Sequence, residues 1–134
     1  MFKKTITYTD YNDVERTETF YFNLTKAEVL EMELSTTGGL SVMIQGIIDS
    51  KDTPQLIKIF KELVLKAYGE KSPDGRRFIK SPEITEAFAQ TEAYSEIFME
   101  LATDDKVATA FVQGITPKGL ENYNGGAPVL NEVK

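Results

Sequence analysis

A change of hydrophobic periodicity after residue 23 constrains the fold of this chain more than any other feature. The segments FKKTITYT (residues 2–9) and VERTETFYFN (residues 14–23) alternate polar and apolar side chains, and the turn formers DYND lie between them. This pattern predicts a β-hairpin. From Thr25 onward the apolar residues recur at intervals of three and four, which is typical of helices. An isolated hairpin is only marginally stable in water, so we expect this one to pack on the helices.

Local start signals divide the remaining chain into helices. Thr25 and Glu28 have the spacing of a capping box, which predicts a helix that ends at about Leu34. Helical spacing returns in a second segment, at Leu40, Met43, Ile44 and Ile47. Further starts are predicted at Pro54, Pro82, Thr91 and Asp104, and two helices are expected to end at Gly69 and Gly114. The fold class that follows is α+β, mostly α, with an N-terminal β-hairpin packed on a bundle of about five or six helices.

The end of the chain differs from the rest in composition. Residues 117–134 are rich in glycine and asparagine and hold few apolar side chains, so we expect a flexible tail after a single domain of residues 1–116. No apolar run approaches the length of about 18 residues that a membrane span needs, and the first residues carry no apolar leader. These features predict a soluble cytoplasmic protein that does not bind a membrane.

The absence of two residue types narrows the chemistry that the chain can perform. It has no cysteine and no histidine, which excludes disulfides and thiolate sites and removes the commonest general base and zinc ligand. Two carboxylate pairs, Asp104 with Asp105 and Glu28 with Glu31, have a simple structural explanation, since acidic residues in a first helical turn face the positive end of the helix dipole. The sequence therefore indicates no enzyme, no metal site and no cofactor.

Basic residues cluster around the corner GEKSPDGRRFIKSPE (residues 69–83). The motif Ser72-Pro73-Asp74-Gly75 predicts a tight turn, and one glycine is too few for a phosphate-binding loop. We interpret the corner as a structured loop between two helices, whose arginines are solvated or paired with acidic neighbours. The alternative is a nucleic-acid interface, which the net charge of −6 opposes. Its residues would be Lys66, Lys71, Arg76, Arg77 and Lys80.

The predicted helix after Thr91 has an acidic stripe and an apolar face on roughly opposite sides. The stripe consists of Glu92, Glu96 and Glu100, and the apolar face consists of Tyr94, Phe98 and Leu101. One interpretation of the stripe is a solvated helix face, which is what most charge runs represent. The other is a docking surface for a basic helical segment of a partner, where complementary charge would speed the encounter.

Three stretches of the chain resemble one family of small phage proteins. They are YFNLTKAEVLEMELS (residues 21–35), AYGEKSPDGRRFIKS (residues 67–81) and TEAYSEIFMELATD (residues 91–104). Over about residues 2–117 the chain is similar to the tail assembly chaperones of tailed bacteriophages and of prophages in Gram-positive bacteria.

The resemblance implies a protein that is not an enzyme and that needs no cofactor and no nucleic acid. Members of this family are expected to coat the hydrophobic tape-measure protein, keep it soluble and help tail tube protein assemble around it. Such a role implies action in the host cytoplasm, release before the virion matures and self-association of copies along the client. A structural component of the tail or of the head–tail junction is the alternative.

A client-binding groove is our hypothesis for the apolar helical faces that one small core does not need. Methionine suits such a surface because its side chain repacks against varied partners, although apolar residues at helical spacing are more often core. Two apolar faces would form the walls, with charged residues at the rim. The walls are Leu40, Met43, Ile44, Ile47, Tyr94, Phe98 and Leu101, and the rim is Arg76, Arg77, Glu92, Glu96 and Glu100.

Overall fold

The computed structural model describes residues 1–34 and 53–117, which form an antiparallel sheet with helices packed on one face. The strands are β1 (Phe2–Thr9), β2 (Glu15–Phe22), β3 (Tyr68–Lys71) and β4 (Phe78–Ile79), and the helices are α1 (Lys26–Leu34), α2 (Thr53–Ala67), α3 (Pro82–Ala89), α4 (Glu92–Thr103) and α5 (Asp105–Ile115). The predicted α+β fold, mostly α with an N-terminal hairpin, is confirmed. The predicted helical segment at 40–47 and residues 118–134 of the predicted tail lie outside the described residues.

The first hairpin forms as the sequence predicts. β1 and β2 pair along their whole length, from Phe2 opposite Phe22 to Thr9 opposite Glu15. In the turn, the Asp10 carboxylate accepts backbone N–H bonds from two residues that follow it, which is the chemistry that makes aspartate a turn former. Alternate side chains of both strands face the helices, whereas the other face of the hairpin is exposed.

Local capping chemistry sets the starts of the helices. In α1 the Thr25 amide donates to Glu28 Oε1 (2.8 Å) and the Glu28 amide donates to Thr25 Oγ1 (3.1 Å), which confirms the capping box. Ser81, Thr91 and Asp104 are the N-caps of α3, α4 and α5, and each accepts a backbone N–H with its side chain. These bonds satisfy amides that have no partner inside the helix.

The corner after α2 is a second hairpin, so the prediction of a loop between two helices is wrong. β3 pairs with β2 through Gly69 opposite Tyr21 and Tyr68 opposite Phe22. It then pairs with β4, which gives the sheet order β1-β2-β3-β4. The strands are too short to show a period of two. β3 forms on the free edge of β2, and β4 forms on the free edge of β3.

The two glycines that were expected to end helices are instead points of close approach. Gly69 lies in β3, and a Cβ atom there would be 2.7 Å from Cε2 of Phe78. Gly114 lies inside α5, which continues to Ile115, and a Cβ atom there would be 2.9 Å from Cβ of Phe2. Both positions therefore require glycine for space, not as a left-handed helix cap.

A cluster of aromatic side chains joins the sheet to the helices. Phe22 is fully buried, and its ring lies 5.6 Å from Phe111 of α5 and 5.9 Å from Phe88 of α3, centroid to centroid. Tyr68 stacks on Phe88 at 4.0 Å. The backbone is joined at the same place, because the amides after β2 donate to the last carbonyls of α2 and α5. The core thus lies between the sheet and the five described helices, each of which contributes at least one buried side chain.

Candidate functional site

The turn between β3 and β4 presents two arginines on a backbone that its own hydrogen bonds hold in place. The buried Ser72 hydroxyl donates to Asp74 Oδ1 (2.7 Å) and accepts the Arg77 amide (3.0 Å). Gly75 has a φ of 76° and donates to the Ser72 carbonyl at 2.9 Å. Hydrogen bonds from the Ser72 hydroxyl and the Arg76 amide lower the pKa of Asp74. The predicted tight turn is therefore confirmed.

Two of the lysines near this turn, Lys71 and Lys80, interact with other residues of the same chain. Lys80 Nζ contacts both carboxylate oxygens of Glu28, at 2.8 and 3.0 Å, and the Asn23 carbonyl at 2.8 Å. Lys71 Nζ lies 4.4 Å from the centroid of the Tyr21 ring, a cation–π distance. A nucleic-acid interface at this corner would have to compete with these internal contacts.

Among the described residues, Arg76 and Arg77 have no ion-pair or cation–π partner of the kind that the two lysines have. Arg76 and Arg77 are both exposed. Within the described ranges neither guanidinium has a carboxylate at ion-pair distance. Of the two interpretations for the arginines, solvation describes them and pairing with acidic neighbours does not.

The glutamate stripe of α4 lies beside β1. Glu100 contacts Lys4 at 2.7 Å, and the Glu92 carboxylate raises the pKa of Tyr11 at the hairpin turn. Glu96 lies between them on the helix and is exposed, with no hydrogen-bond or ion-pair partner among the described residues. The stripe is therefore not a wholly solvated face, and Glu96 is its member with a free carboxylate.

The apolar face of α4 divides into a buried part and an accessible part. Leu101 is 3% exposed and belongs to the core. Tyr94 packs on the core, with its ring 5.5 Å from Phe88, and burial raises its pKa. Phe98 is half-buried, lies outside the core cluster and stacks on Tyr94 at 5.9 Å. Phe98 and the ring edge of Tyr94 are thus the part of this face that a partner can reach.

The other predicted wall of the groove, from Leu40 to Ile47, lies outside the described residues. A groove between the two walls therefore stays a prediction. The structure does show an apolar stripe that the sequence analysis did not select, on the helix leading into that segment. Leu30 and Leu34 of α1 are 39% and 71% exposed, and their spacing of four places them on one helix face. The spacing of four is visible in the sequence. It does not show whether the two leucines face the solvent or the core.

A shallow cleft lies where β2 and β3 diverge beyond their short paired region. Its lining residues are Glu18, Thr19, Phe20, Tyr21, Tyr68, Gly69, Glu70 and Lys71. No sequence pattern predicts the cleft, because it depends on how soon the two strands separate. The Lys71 ammonium group above the Tyr21 ring lies at its side.

Comparisons with known proteins identify one family. The model of the phage tail assembly chaperone family matches residues 1–127. Neither the curated proteins nor the solved structures include a match. In the described part of the chain no group of three or more acidic side chains is arranged to hold a metal ion, and none of the helices there is long and apolar enough to cross a membrane.

Proposed function

The chain belongs to the phage tail assembly chaperone family, and we propose that it binds the tape-measure protein, keeps it soluble and helps recruit tail tube protein during tail assembly. The role is that of a binding protein and not of an enzyme. The protein acts in the host cytoplasm and leaves before the virion is complete. Copies of the chain associate along the client.

The observation that supports a client surface on α4 is the position of Phe98. Phe98 is a large aromatic side chain that stacks on Tyr94 but stays outside the core cluster and keeps part of its ring in water. Its apolar area becomes useful when a partner removes it from water, at about 25 cal/mol for each Å². Tyr94 adds a ring edge, and Leu101 supports both from inside the core.

The residues that we assign to the rim favour a client with charges of both signs. Glu96 is an exposed carboxylate on α4, and Arg76 and Arg77 are exposed on the β3–β4 turn. Exposed charges at the rim of an interface change the association rate and its salt dependence more than they change affinity. We therefore propose that the apolar residues provide the affinity for the client and that the charged residues orient it.

We add the exposed stripe of α1 to the proposed surface because it comes directly before the other wall in the sequence. Leu30 and Leu34 lead directly into the segment that contains Leu40, Met43, Ile44 and Ile47. An amphipathic client helix needs anchors over several turns, and one face of α4 alone offers too few. We assign the anchors to α4, to the stripe of α1 and to the segment that follows it.

Coexpression with the phage's own tape-measure protein tests the proposal. With the wild-type chain the client stays in the soluble fraction, and Phe98→Asp removes most of it from that fraction, because a carboxylate replaces the exposed ring. Val112→Asp is the matched control, since Val112 is 36% exposed on α5 and does not belong to the proposed surface.

Circular dichroism must show that both variants are folded. If a folded Phe98→Asp variant solubilises the client as well as the wild type does, the surface on α4 is refuted. Recovery of the wild-type chain from purified virions would instead favour a structural component of the tail.

A further inference from the structure

The outer edge of β1 has no backbone partner among the described residues. β1 is an end strand of the sheet. The Asp10 amide donates to the Val14 carbonyl across the hairpin, and the direction of the backbone groups alternates along an antiparallel strand. The residues whose N–H and C=O groups point away from β2 are therefore Lys3, Thr5, Thr7 and Thr9. All four are exposed, and none of these groups has a partner in the described ranges.

Nothing in β1 blocks the addition of another strand. Edge strands are commonly protected by proline, by a bulge or by an inward-pointing charge. β1 contains no proline, and its register with β2 is regular from Phe2 to Thr9. The one inward-pointing charge, Lys4, is neutralised by Glu100 at 2.7 Å. The edge is long and regular, and no described residue outside the hairpin pairs with its backbone.

The charges along this edge select the direction of the added strand. Lys3 lies at the start of β1, whereas Asp13 and Glu15 lie at the turn where it ends. Lys4 and Asp10 are already paired within the chain, with Glu100 and with Arg16. A second copy of β1 in the antiparallel direction brings the basic end of each copy beside the acidic end of the other. A parallel arrangement would place like charges together, which is destabilising.

We propose that two copies of this chain associate through their β1 edges, antiparallel about a twofold axis at Ile6, so that two four-stranded sheets become one. In this register Thr5 lies opposite Thr7 of the second copy and Lys3 lies opposite Thr9, so every outward backbone group finds a partner. A twofold interface of this kind is closed, so the β1 edge joins two copies and no more.

The exposed face of the hairpin fits the same register. Thr5 and Thr19 hydroxyls are 2.7 Å apart, and Thr7 and Thr17 hydroxyls are 2.8 Å apart, so threonine pairs already cross from β1 to β2. In the proposed dimer Thr5 of one copy lies opposite Thr7 of the other, so the row of threonine pairs continues across the twofold axis. The inference does not rest on the proposed client, because the edge and its charges belong to the chain alone.

Sedimentation of the purified chain over a range of concentrations measures the association. The wild type is expected to reach twice the 15.0 kDa of one chain. Thr7→Pro removes an outward N–H, which β2 does not use, and raises the dimer Kd by about tenfold or more. Thr7→Ala is the matched control, since it also loses the hydroxyl pair with Thr17 but keeps the N–H, and it remains a dimer.

Cysteine cross-linking tests the register independently. The chain has no cysteine of its own, so each single substitution is unambiguous. Ile6→Cys places two thiols opposite each other at a non-hydrogen-bonded pair, where Cα atoms are about 4.5 Å apart and a disulfide can form. Thr17→Cys on β2 gives no cross-linked dimer.

Two results overturn the proposal. A wild type that remains at 15.0 kDa at every concentration shows that the edge is left to another segment or another partner. If Thr7→Cys gives a cross-linked dimer and Ile6→Cys does not, the twofold axis lies at Thr7 and not at Ile6. Either result leaves the coexpression assay for the tape-measure client unaffected, so the two proposals can fail separately.

Discussion

Lys80 links parts of the chain that are more than 50 residues apart in sequence. Its ammonium group contacts the Glu28 carboxylate and the Asn23 carbonyl. The Lys80 and Glu28 side chains are 21% and 25% exposed, so water screens this pair less than it screens a surface pair. Burial opposes charge on Glu28, but hydrogen bonds from Lys80 and from the Thr25 amide outweigh it and lower the pKa of Glu28.

Removal of this cation should destabilise the fold in a pH-dependent way. We expect Lys80→Met to reduce the free energy of unfolding by about 1–3 kcal/mol at neutral pH, since Glu28 stays partly buried without its cation. The stabilisation is present above the ordinary pKa of glutamate and is lost as the pH falls through the lowered pKa of the folded state. Urea unfolding at neutral pH and near pH 3 should show the gap between wild type and variant shrinking.

The exposed Lys66 of α2 provides the control for this experiment. Lys66→Met removes the same charge from a solvated position, so its effect should stay within about 0.5 kcal/mol. An undiminished gap for Lys80→Met near pH 3 would contradict the ion-pair explanation.

Secondary-structure elements differ in how much of them the sequence predicts. The helix starts were predictable because a cap is a contact between neighbours in the chain, as between Thr25 and Glu28. β3 and β4 were not, since four and two residues cannot show a period of two. These strands exist only through pairing, β3 with β2 and β4 with β3. The partners of the glutamate stripe could not be predicted either, because they depend on how α4 packs against β1.

Gly69 gives an experimental test of the second hairpin. Gly69→Ala would place a methyl group against the Phe78 ring and should lower the free energy of unfolding by about 1–3 kcal/mol. If the ring is the obstacle, Phe78→Leu should recover part of this loss in the double variant, as a double-mutant cycle would show. A helix-cap role for Gly69 predicts no recovery, so additive losses would contradict the strand assignment.

For the whole molecule, the position of Phe22 decides whether the sheet and the helices are separable. Its ring is fully buried between Tyr68 of β3, Phe88 of α3 and Phe111 of α5. The amides that follow β2 donate to the ends of α2 and α5. An element that shares its largest buried side chain with its neighbours cannot unfold alone without exposing them. One domain stays a prediction, and this arrangement is the reason why we expect it.

One cooperative unfolding transition is the consequence that can be measured. Phe22→Leu should lower the free energy of unfolding by about 1–3 kcal/mol and should shift the transition equally in far-ultraviolet circular dichroism, which reports the helices, and in tyrosine fluorescence, which reports Tyr68 in the core. Coincident transitions are the mark of two-state unfolding. If the tyrosine signal of the variant is lost before the helical signal, the hairpin and the helices are separate units, and the aromatic cluster does not join them.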